Sequence, residues 1–393
     1  MKIVPIDVES ARRETPGCVE VLHFNNAGAA LMPARVVEAV KGHLDLEARL
    51  GGYEAARKEE ARWERAYDAA AALLNCHRDE IAVVENATRA WDMAFYAVPL
   101  KPGDRILTAQ AEYVSNYLAY LQVARRTGAT VTVIPNDPDG QLDVAALRRA
   151  MDERVRLIAI THVPTNGGLV NPAEEVGAVA REAGVLYLLD ACQSVGQIPL
   201  DVQRIGCDML SCTGRKFLRG PRGTGFLFVR RESMERLEPP FVDLQAARWD
   251  ARDSFRWRPD ARRFENWETN YATKIGLAVA IDYALGWGLE AIRDRVFALA
   301  ERLRSRLADV PGVTVRDLGR VRCGIVTFTM EGKDPVAIRD ALLARGINVS
   351  VSFLEYARLD MEQRGLERMV RSSVHYYNTE EEVERFCREL GAL

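Results

Sequence analysis

SCTGRKFLRGPRGTGFLFV, residues 211–229, sets Lys216 between two short apolar runs, CDMLSC (207–212) and GFLFV (225–229). Both runs are the length of a strand and apolar without alternation, which is the pattern of a strand buried on both faces. Glycines and a proline fill the gap between them, so the lysine sits in a tight connection at the mouth of a strand. A lone lysine in such a place is ordinarily a solvated loop residue. The neighbouring sequence gives it another role.

Upstream, the same kind of strand recurs with helices between. IAVVEN (81–86), DRILTAQ (104–110), TVTVIP (130–135), VRLIAITHV (155–163) and VLYLLDA (185–191) read as strands. ATRAWDMAFYAVP (87–99), SNYLAYLQVARRTG (115–128) and DVAALRRAMDE (143–153) read as helices. Continuously apolar strands alternating with helices predict an α/β fold with a mostly parallel sheet covered on both faces. Near the N-terminus Asn25, Asn26 and Gly28 mark a turn, and ARVVEAVKGHLDLEARL (34–50) has helical period until Gly51 and Gly52 interrupt it. A second helix runs through Trp63 and Tyr67 to about Leu74.

Beyond Val229 the rhythm breaks. Residues 231–264, rich in Arg, Trp, Pro and Asp, read as a long loop region. One long helix is expected over 275–310, followed by strands at 312–318, 324–330, 347–353 and 368–377 and helices at 335–346 and from Glu380. These predict a smaller C-terminal α/β domain. The chain divides into an arm (1–22), a large domain (23–264) and a small domain (265–393) with an interdomain helix at about 275–308.

The 393 residues are 48% apolar and 28% charged with a formal net charge of −3, a balance that gives no electrostatic case for nucleic acid or an anionic membrane. No apolar run reaches the length of a bilayer span, and the first residues lack an apolar leader core, so a cytoplasmic protein is expected. The seven cysteines are scattered with no C-x-x-C pair, and the five histidines are isolated, so no metal site is expected. The glycine patterns of nucleotide-binding loops are missing too.

Functional residues of parallel sheets collect at the C-terminal ends of strands. Asn86, Ala87 and Thr88 follow one strand and open a helix; Thr165 and Asn166 follow another. Asp190 ends a third with Gln193 just beyond, and Thr213 and Lys216 follow the fourth. Together they bring a carboxylate, an amine, amides and hydroxyls to one crevice. That set suits pyridoxal 5'-phosphate: a lysine for the aldehyde, an acid for the pyridine nitrogen and a helix N-terminus for the phosphate.

The ordered motifs ENATRAWDMAF, AEYVSN, THVPTNGGLVNP, LYLLDACQSVGQ, TGRKFLRGPRGTGFLFV and FENWETN resemble the class V aminotransferase and cysteine desulfurase family of fold-type I pyridoxal phosphate enzymes. The resemblance runs from His23 onward. It implies that Lys216 forms the Schiff base, that Asp190 partners the pyridinium nitrogen and that Gln193 donates to the phenolic oxygen. Tyr113 would stack on the ring, where desulfurases carry His. Thr88 with Ala87, joined by Thr213, would hold the phosphate. Thr165 and Asn166 share, with a one-residue ambiguity, the position of an Asn that contacts the ring oxygen. Arg215 replaces the family's common His, with no role assigned.

FENWETN resembles the segment that reaches a neighbouring subunit's phosphate. That makes Thr269, with Trp267 nearby, a cofactor contact and implies a homodimer with shared active sites. Arg371 falls where the family binds the substrate carboxylate, a task that suits the guanidinium fork. Asn26 and Gly28 resemble a segment lining the substrate side. Tyr53, after Gly51 and Gly52, belongs either to an active-site loop or to a simple helix break. The Arg-rich stretch 248–263 offers a site for an anionic substrate tail or a solvated loop.

Transamination, epimerisation and β-elimination share this machinery. Desulfurases of the family use a nucleophilic cysteine on a small-domain loop ahead of the substrate arginine, and residues 348–370 contain none. HFNNAGAALMP with GRKFLRGPRGTGFLFV resembles the ergothioneine-biosynthesis C–S lyase and isopenicillin N epimerase-like branches. The expectation is therefore a C–S lyase that eliminates from a cysteine-derived S-conjugate or sulfoxide, giving pyruvate and ammonia. An aminotransferase or an epimerase/racemase acting on an amino acid is the alternative, with a cysteine desulfurase or a non-catalytic module ranked below.

Overall fold

The structure is a computed structural model that describes residues 5–393; the first four residues of the arm lie outside it. Seven strands form the main sheet, in the order Ile81–Val84, Gly225–Val229, Met209–Thr213, Leu186–Asp190, Val155–Thr161, Arg105–Ala109, Thr130–Ile134. Gly225–Val229 runs antiparallel to both its neighbours, and the remaining pairings are parallel. The four inner strands from Gly225–Val229 to Val155–Thr161 are buried almost throughout, as their unbroken apolar runs require.

Helices cover both faces. On one, Ala87–Phe95 and Val114–Thr127 bury Trp91, Phe95 and Tyr120 against Ile106, Leu157 and Leu188; Trp91 stacks on Phe95 at 6.4 Å, and Tyr120 meets both rings tilted or edge-on at 6.1 and 5.2 Å. On the other, Glu60–Leu74 packs on Tyr271–Trp287, both helices rich in buried small residues, Ala66, Ala69 and Ala70 in the first and Ala272, Gly276 and Ala280 in the second. Each large apolar side chain so buried stabilises the fold by roughly 1.5–3 kcal/mol.

The C-terminal part holds a second, four-stranded sheet ordered Val313–Val315, Ile325–Met330, Arg368–Ser373, Ser350–Phe353, antiparallel throughout. Helix Pro335–Ala344 does cross between two parallel strands, as the alternating pattern predicts, but Arg368–Ser373 is inserted antiparallel between them. The N-terminal segment joins this part of the molecule. Leu22–His23 pairs with Ile347–Asn348, Asn25 bridges Ser373, and Arg12 binds Glu382 at 2.8 Å. A linear division at residue 22 does not reveal this return.

Three sequence expectations need correction. The expected long helix is two, Tyr271–Trp287 and Leu289–Ala308, bent by 79° at Gly288. Gly288 has φ +85°, which only glycine adopts without strain, so the apolar period carries on across a real break. The loop region 231–264 contains a hairpin, Ala247–Ala251 with Ser254–Trp257. Its residues are almost all exposed and so show no in–out alternation. Helices Gly52–Lys58 and Ala173–Ala183 also went unread. Among the described residues no single helix is long and apolar enough to cross a membrane.

Candidate active site

The strand ends converge on a half-open cavity lined by Asn86, Ala87, Thr88, Tyr113, Asn116, Thr161, Val163, Thr165, Asp190, Cys192, Gln193, Thr213, Arg215 and Lys216. One end is the N-terminus of helix Ala87–Phe95. Asn86 caps it by accepting from the Arg89 amide at 2.9 Å. The first amides of the helix have no intrahelical acceptor, and the helix dipole adds to their positive character. With the Thr88 and Thr213 hydroxyls they form a ready anion site.

Lys216 is placed by the turn between strands Met209–Thr213 and Gly225–Val229. Gly220 N–H donates to Gly214 O at 2.7 Å, Gly214 N–H to Thr224 O at 3.0 Å and Arg219 N–H to Lys216 O at 2.9 Å. The buried Arg219 then fastens the turn, donating to Leu31 O, Tyr376 Oη and the Thr15 hydroxyl. From the other side Gly196 packs so closely that a Cβ there would lie 2.4 Å from the Phe217 carbonyl carbon. Burial lowers the Lys216 amine from its ordinary value, with Arg215 and Arg371 pushing the same way and Cys192 and Asp190 opposing. A larger share of the amine is thereby neutral and nucleophilic.

Asp190 is buried at its strand end. Its Oδ1 accepts from Cys192 N at 2.9 Å and its Oδ2 from Asn116 Nδ2 at 2.9 Å. Asn116 gives a second bond, at 3.0 Å, to Glu112, which also accepts from Tyr113 N, Thr108 and Thr161. Burial pushes Glu112 up to about 7, and the Asp190 charge adds to the rise. Gln193 donates to Ala27 O at 3.2 Å and leaves its buried Oε1 without a partner.

Arg371 enters from the small sheet. Its Nη1 donates to Thr165 Oγ1 at 2.8 Å and Thr165 O at 3.1 Å, and its buried Nε is unpartnered. No carboxylate pairs with it among the described residues. Burial, reinforced by Arg215, lowers it to about 10, so it remains a cation at neutral pH.

Of the residues singled out from sequence, Lys216, Asp190, Tyr113, Ala87, Thr88, Thr165, Gln193 and Thr213 line the cavity together, and Arg371 reaches it through Thr165. Of the two residues sharing that position, Thr165 lines the cavity, whereas the Asn166 amide donates to Phe353 O at 3.3 Å. Asn26 does not line the cavity. It bonds to His23 O, Ser373 O and Tyr377 Oη and ties the N-terminal turn to the C-terminal part. Gly28 takes part only through its carbonyl, which accepts from Arg215.

Tyr53, 73% exposed, and Thr269 lie in a separate cleft with Trp267. The Arg-rich stretch is largely occupied locally, Arg256 by Asp250, Arg258 by Asp260 and Arg262 by Glu64. Glu112, Asn116 and Cys192 escaped the sequence reading. The signal was present in AEYVSN, where Glu112 precedes a helix and Asn116 sits on its inward first turn.

The aminotransferase class-V family model matches residues 22–386, and the chain belongs to that family. A probable cysteine desulfurase of Methanothermobacter thermautotrophicus is 28% identical over 96% of this chain and 95% of its own length. One from Xylella fastidiosa is 32% identical over 94% and 90%. The apo structure of a cysteine desulfurase from Thermococcus onnurineus superposes with a TM-score of 0.91 at 28% identity, covering 100% of this chain and 99% of the other.

The family depends on pyridoxal 5'-phosphate, and the cavity fits it. A helix terminus and two hydroxyls suit the phosphate, the Asp190 carboxylate the ring nitrogen and the Lys216 amine the aldehyde. The same comparisons overturn the ranking that set a pyruvate-forming C–S lyase, an aminotransferase or an epimerase above a desulfurase. Relatives matched along almost the whole chain are named cysteine desulfurases.

Proposed function

We propose that this class-V enzyme removes the sulfur of cysteine and releases alanine. The observation that carries the reading is the placing of Lys216, Asp190 and a helix N-terminus around one cavity, in a chain matched over 94–96% of its length by relatives named as cysteine desulfurases. Pyridoxal phosphate, when bound, supplies the electron sink for bonds broken at the substrate's α-carbon. Arg371 holds the substrate carboxylate, being a buried cation without a carboxylate of its own. Lys216 removes the proton at the α-carbon, and its lowered basicity leaves it free to do so near neutral pH. Asp190, fixed by Asn116 and the Cys192 amide, keeps the ring nitrogen protonated. Tyr113, which lines the same cavity, would stack on the ring.

The segment 348–370 supplies no cysteine to take the sulfur. Cys192, in the cavity, is pushed well above an ordinary thiol by burial and by Asp190, which leaves it protonated and a poor nucleophile. The acceptor in this reading is a thiol from solution: cysteine plus RSH gives alanine plus RSSH. A second copy of the chain completes the site, bringing Thr269 to the phosphate. In support, Thr269 lies outside its own chain's cavity, in a cleft with the exposed rings of Trp267 and Tyr53, 49% and 73% accessible.

The test supplies the yellow enzyme with cysteine and excess dithiothreitol and measures alanine, sulfide and pyruvate. Alanine and sulfide in equal amounts, lost in Lys216→Ala, are expected. Pyruvate and ammonia in place of alanine would overturn the reading.

A further inference from the structure

Glu112 lies behind the cavity wall, buried, while Tyr113 and Asn116 on either side of it line the cavity. Its Oε1 accepts from Tyr113 N at 2.8 Å, from Asn116 Nδ2 at 3.0 Å and from the Thr161 hydroxyl. Its Oε2 meets two hydroxyls, Thr108 at 3.0 Å and Tyr120 at 3.4 Å. A carboxyl oxygen that already takes three donors has no lone pair left for a proton. The proton of this carboxyl therefore sits on Oε2, where either hydroxyl can turn to accept it.

Two of the donors on Oε1 belong to residues that bear on the cofactor ring. Asn116 spends its other amide hydrogen on Asp190 Oδ2, at 2.9 Å. With a carboxyl oxygen at each place, its amide has one orientation, because its own oxygen would face an acceptor in the other. Tyr113 caps helix Val114–Thr127, and the Glu112 side chain pairs its N–H. One buried carboxyl thus ties the ring-nitrogen acid and the stacking residue to a common point. The titratable groups facing it are Asp190, from strand Leu186–Asp190, and Tyr120, from helix Val114–Thr127. Strands Arg105–Ala109 and Val155–Thr161 present the Thr108 and Thr161 hydroxyls. Burial raises Tyr120 well above an ordinary phenol, so it keeps its proton at neutral pH.

We infer that Glu112 is a positioning residue for the cofactor ring, a carboxyl that holds Asn116 against Asp190 and Tyr113 at the cavity wall, and whose proton on Oε2 is sensed by the bound cofactor. This rests on the reading that Asp190 partners the ring nitrogen. When that proton leaves, the Thr108 and Tyr120 hydroxyls must turn to donate, and a negative charge appears one amide away from Asp190. The added charge strengthens the hold of the ring nitrogen and the Lys216 linkage on their protons. A glutamine with its oxygen at the place of Oε1 and its nitrogen at the place of Oε2 reproduces the protonated carboxyl at every pH.

The test follows the visible absorption and visible circular dichroism of the cofactor-loaded enzyme from pH 5 to 9, without substrate, for the parent, Glu112→Gln and Asp190→Asn. Parent and Glu112→Gln are expected to coincide at the acid end and to separate as pH rises through about 7, where the carboxyl loses its proton. The parent should keep its low-pH spectrum to the higher pH. Curves that coincide throughout, or that separate in the opposite sense, overturn the inference. A fixed offset at every pH also overturns it, because a merely structural contact does not titrate. In each of these cases Asp190→Asn still departs from the parent, and the Asp190 reading stands. If Asp190→Asn follows the parent at every pH, Asp190 does not partner the ring nitrogen, and the inference falls with that reading.

Discussion

Glu112 and Asp190 share one amide: Asn116 Nδ2 lies 3.0 Å from a Glu112 oxygen and 2.9 Å from an Asp190 oxygen. Two carboxylates bridged in a buried pocket cannot both ionise cheaply, and the cost falls on Glu112, pushed up to about 7.

That arrangement gives stability a pH dependence with a definite sign. Between about 4.5 and about 7 the folded protein keeps a proton on Glu112 that the unfolded chain releases. The Glu112 contribution is therefore full below that window and falls as pH rises through it, by on the order of 3 kcal/mol. Glu112→Gln removes the titration. Urea unfolding of both proteins from pH 5 to 8 should show the variant gaining on the parent as pH rises. Parallel curves would refute the assignment.

Two glycines with positive φ should behave differently when given a side chain. At Gly288 (φ +85°) a Cβ meets nothing within 4 Å, so Gly288→Ala carries only backbone strain, about 1–2 kcal/mol. At Gly196 (φ +92°) a Cβ would lie 2.4 Å from the Phe217 carbonyl carbon and 2.6 Å from Leu218 N. Gly196→Ala must move the residue that follows Lys216. Thermal unfolding should show a small loss for Gly288→Ala with its yellow colour intact. Gly196→Ala should lose visible absorption even where circular dichroism reports a folded protein.

What was legible in the sequence was what lies close along the chain. Lys216, Asp190 and Thr88 each stand at the end of an unbroken apolar run, and the strand itself carries them to the cavity. Asn116 was illegible because its meaning depends on Asp190, 74 residues away. Asn26 was given a substrate-side place only by the resemblance of its segment to the family's. Its partners Ser373 and Tyr377 come from the far end of the chain. The missed hairpin and the unseen break at Gly288 share a cause: exposed strands have no alternation, and an apolar period does not register a change of axis. The reaction was misjudged on the absence of a loop cysteine, a single local feature set against similarity along the whole chain.

A buried ion pair braces the loop on which Arg371 rests. Arg304 and Asp317 are 4% and 0% exposed, and they meet at 2.7 Å. Arg304 also donates to Cys323 O and Ile325 O at 2.7 and 2.8 Å, while Asp317 accepts from Thr327 and from Gly168 N. The pair thus ties helix Leu289–Ala308 and the small sheet to the loop that carries Thr165, the residue on which Arg371 rests. Removing one partner strands a buried charge, and Asp317→Ala should cost about 3–5 kcal/mol. Replacing both with apolar residues, Arg304→Met with Asp317→Leu, removes the stranded charge as well. Urea unfolding should find the double variant more stable than Asp317→Ala alone. A double variant as unstable as the sum of its two single changes would show that the ions are not coupled, and that the brace lies in the carbonyl contacts of Arg304 instead.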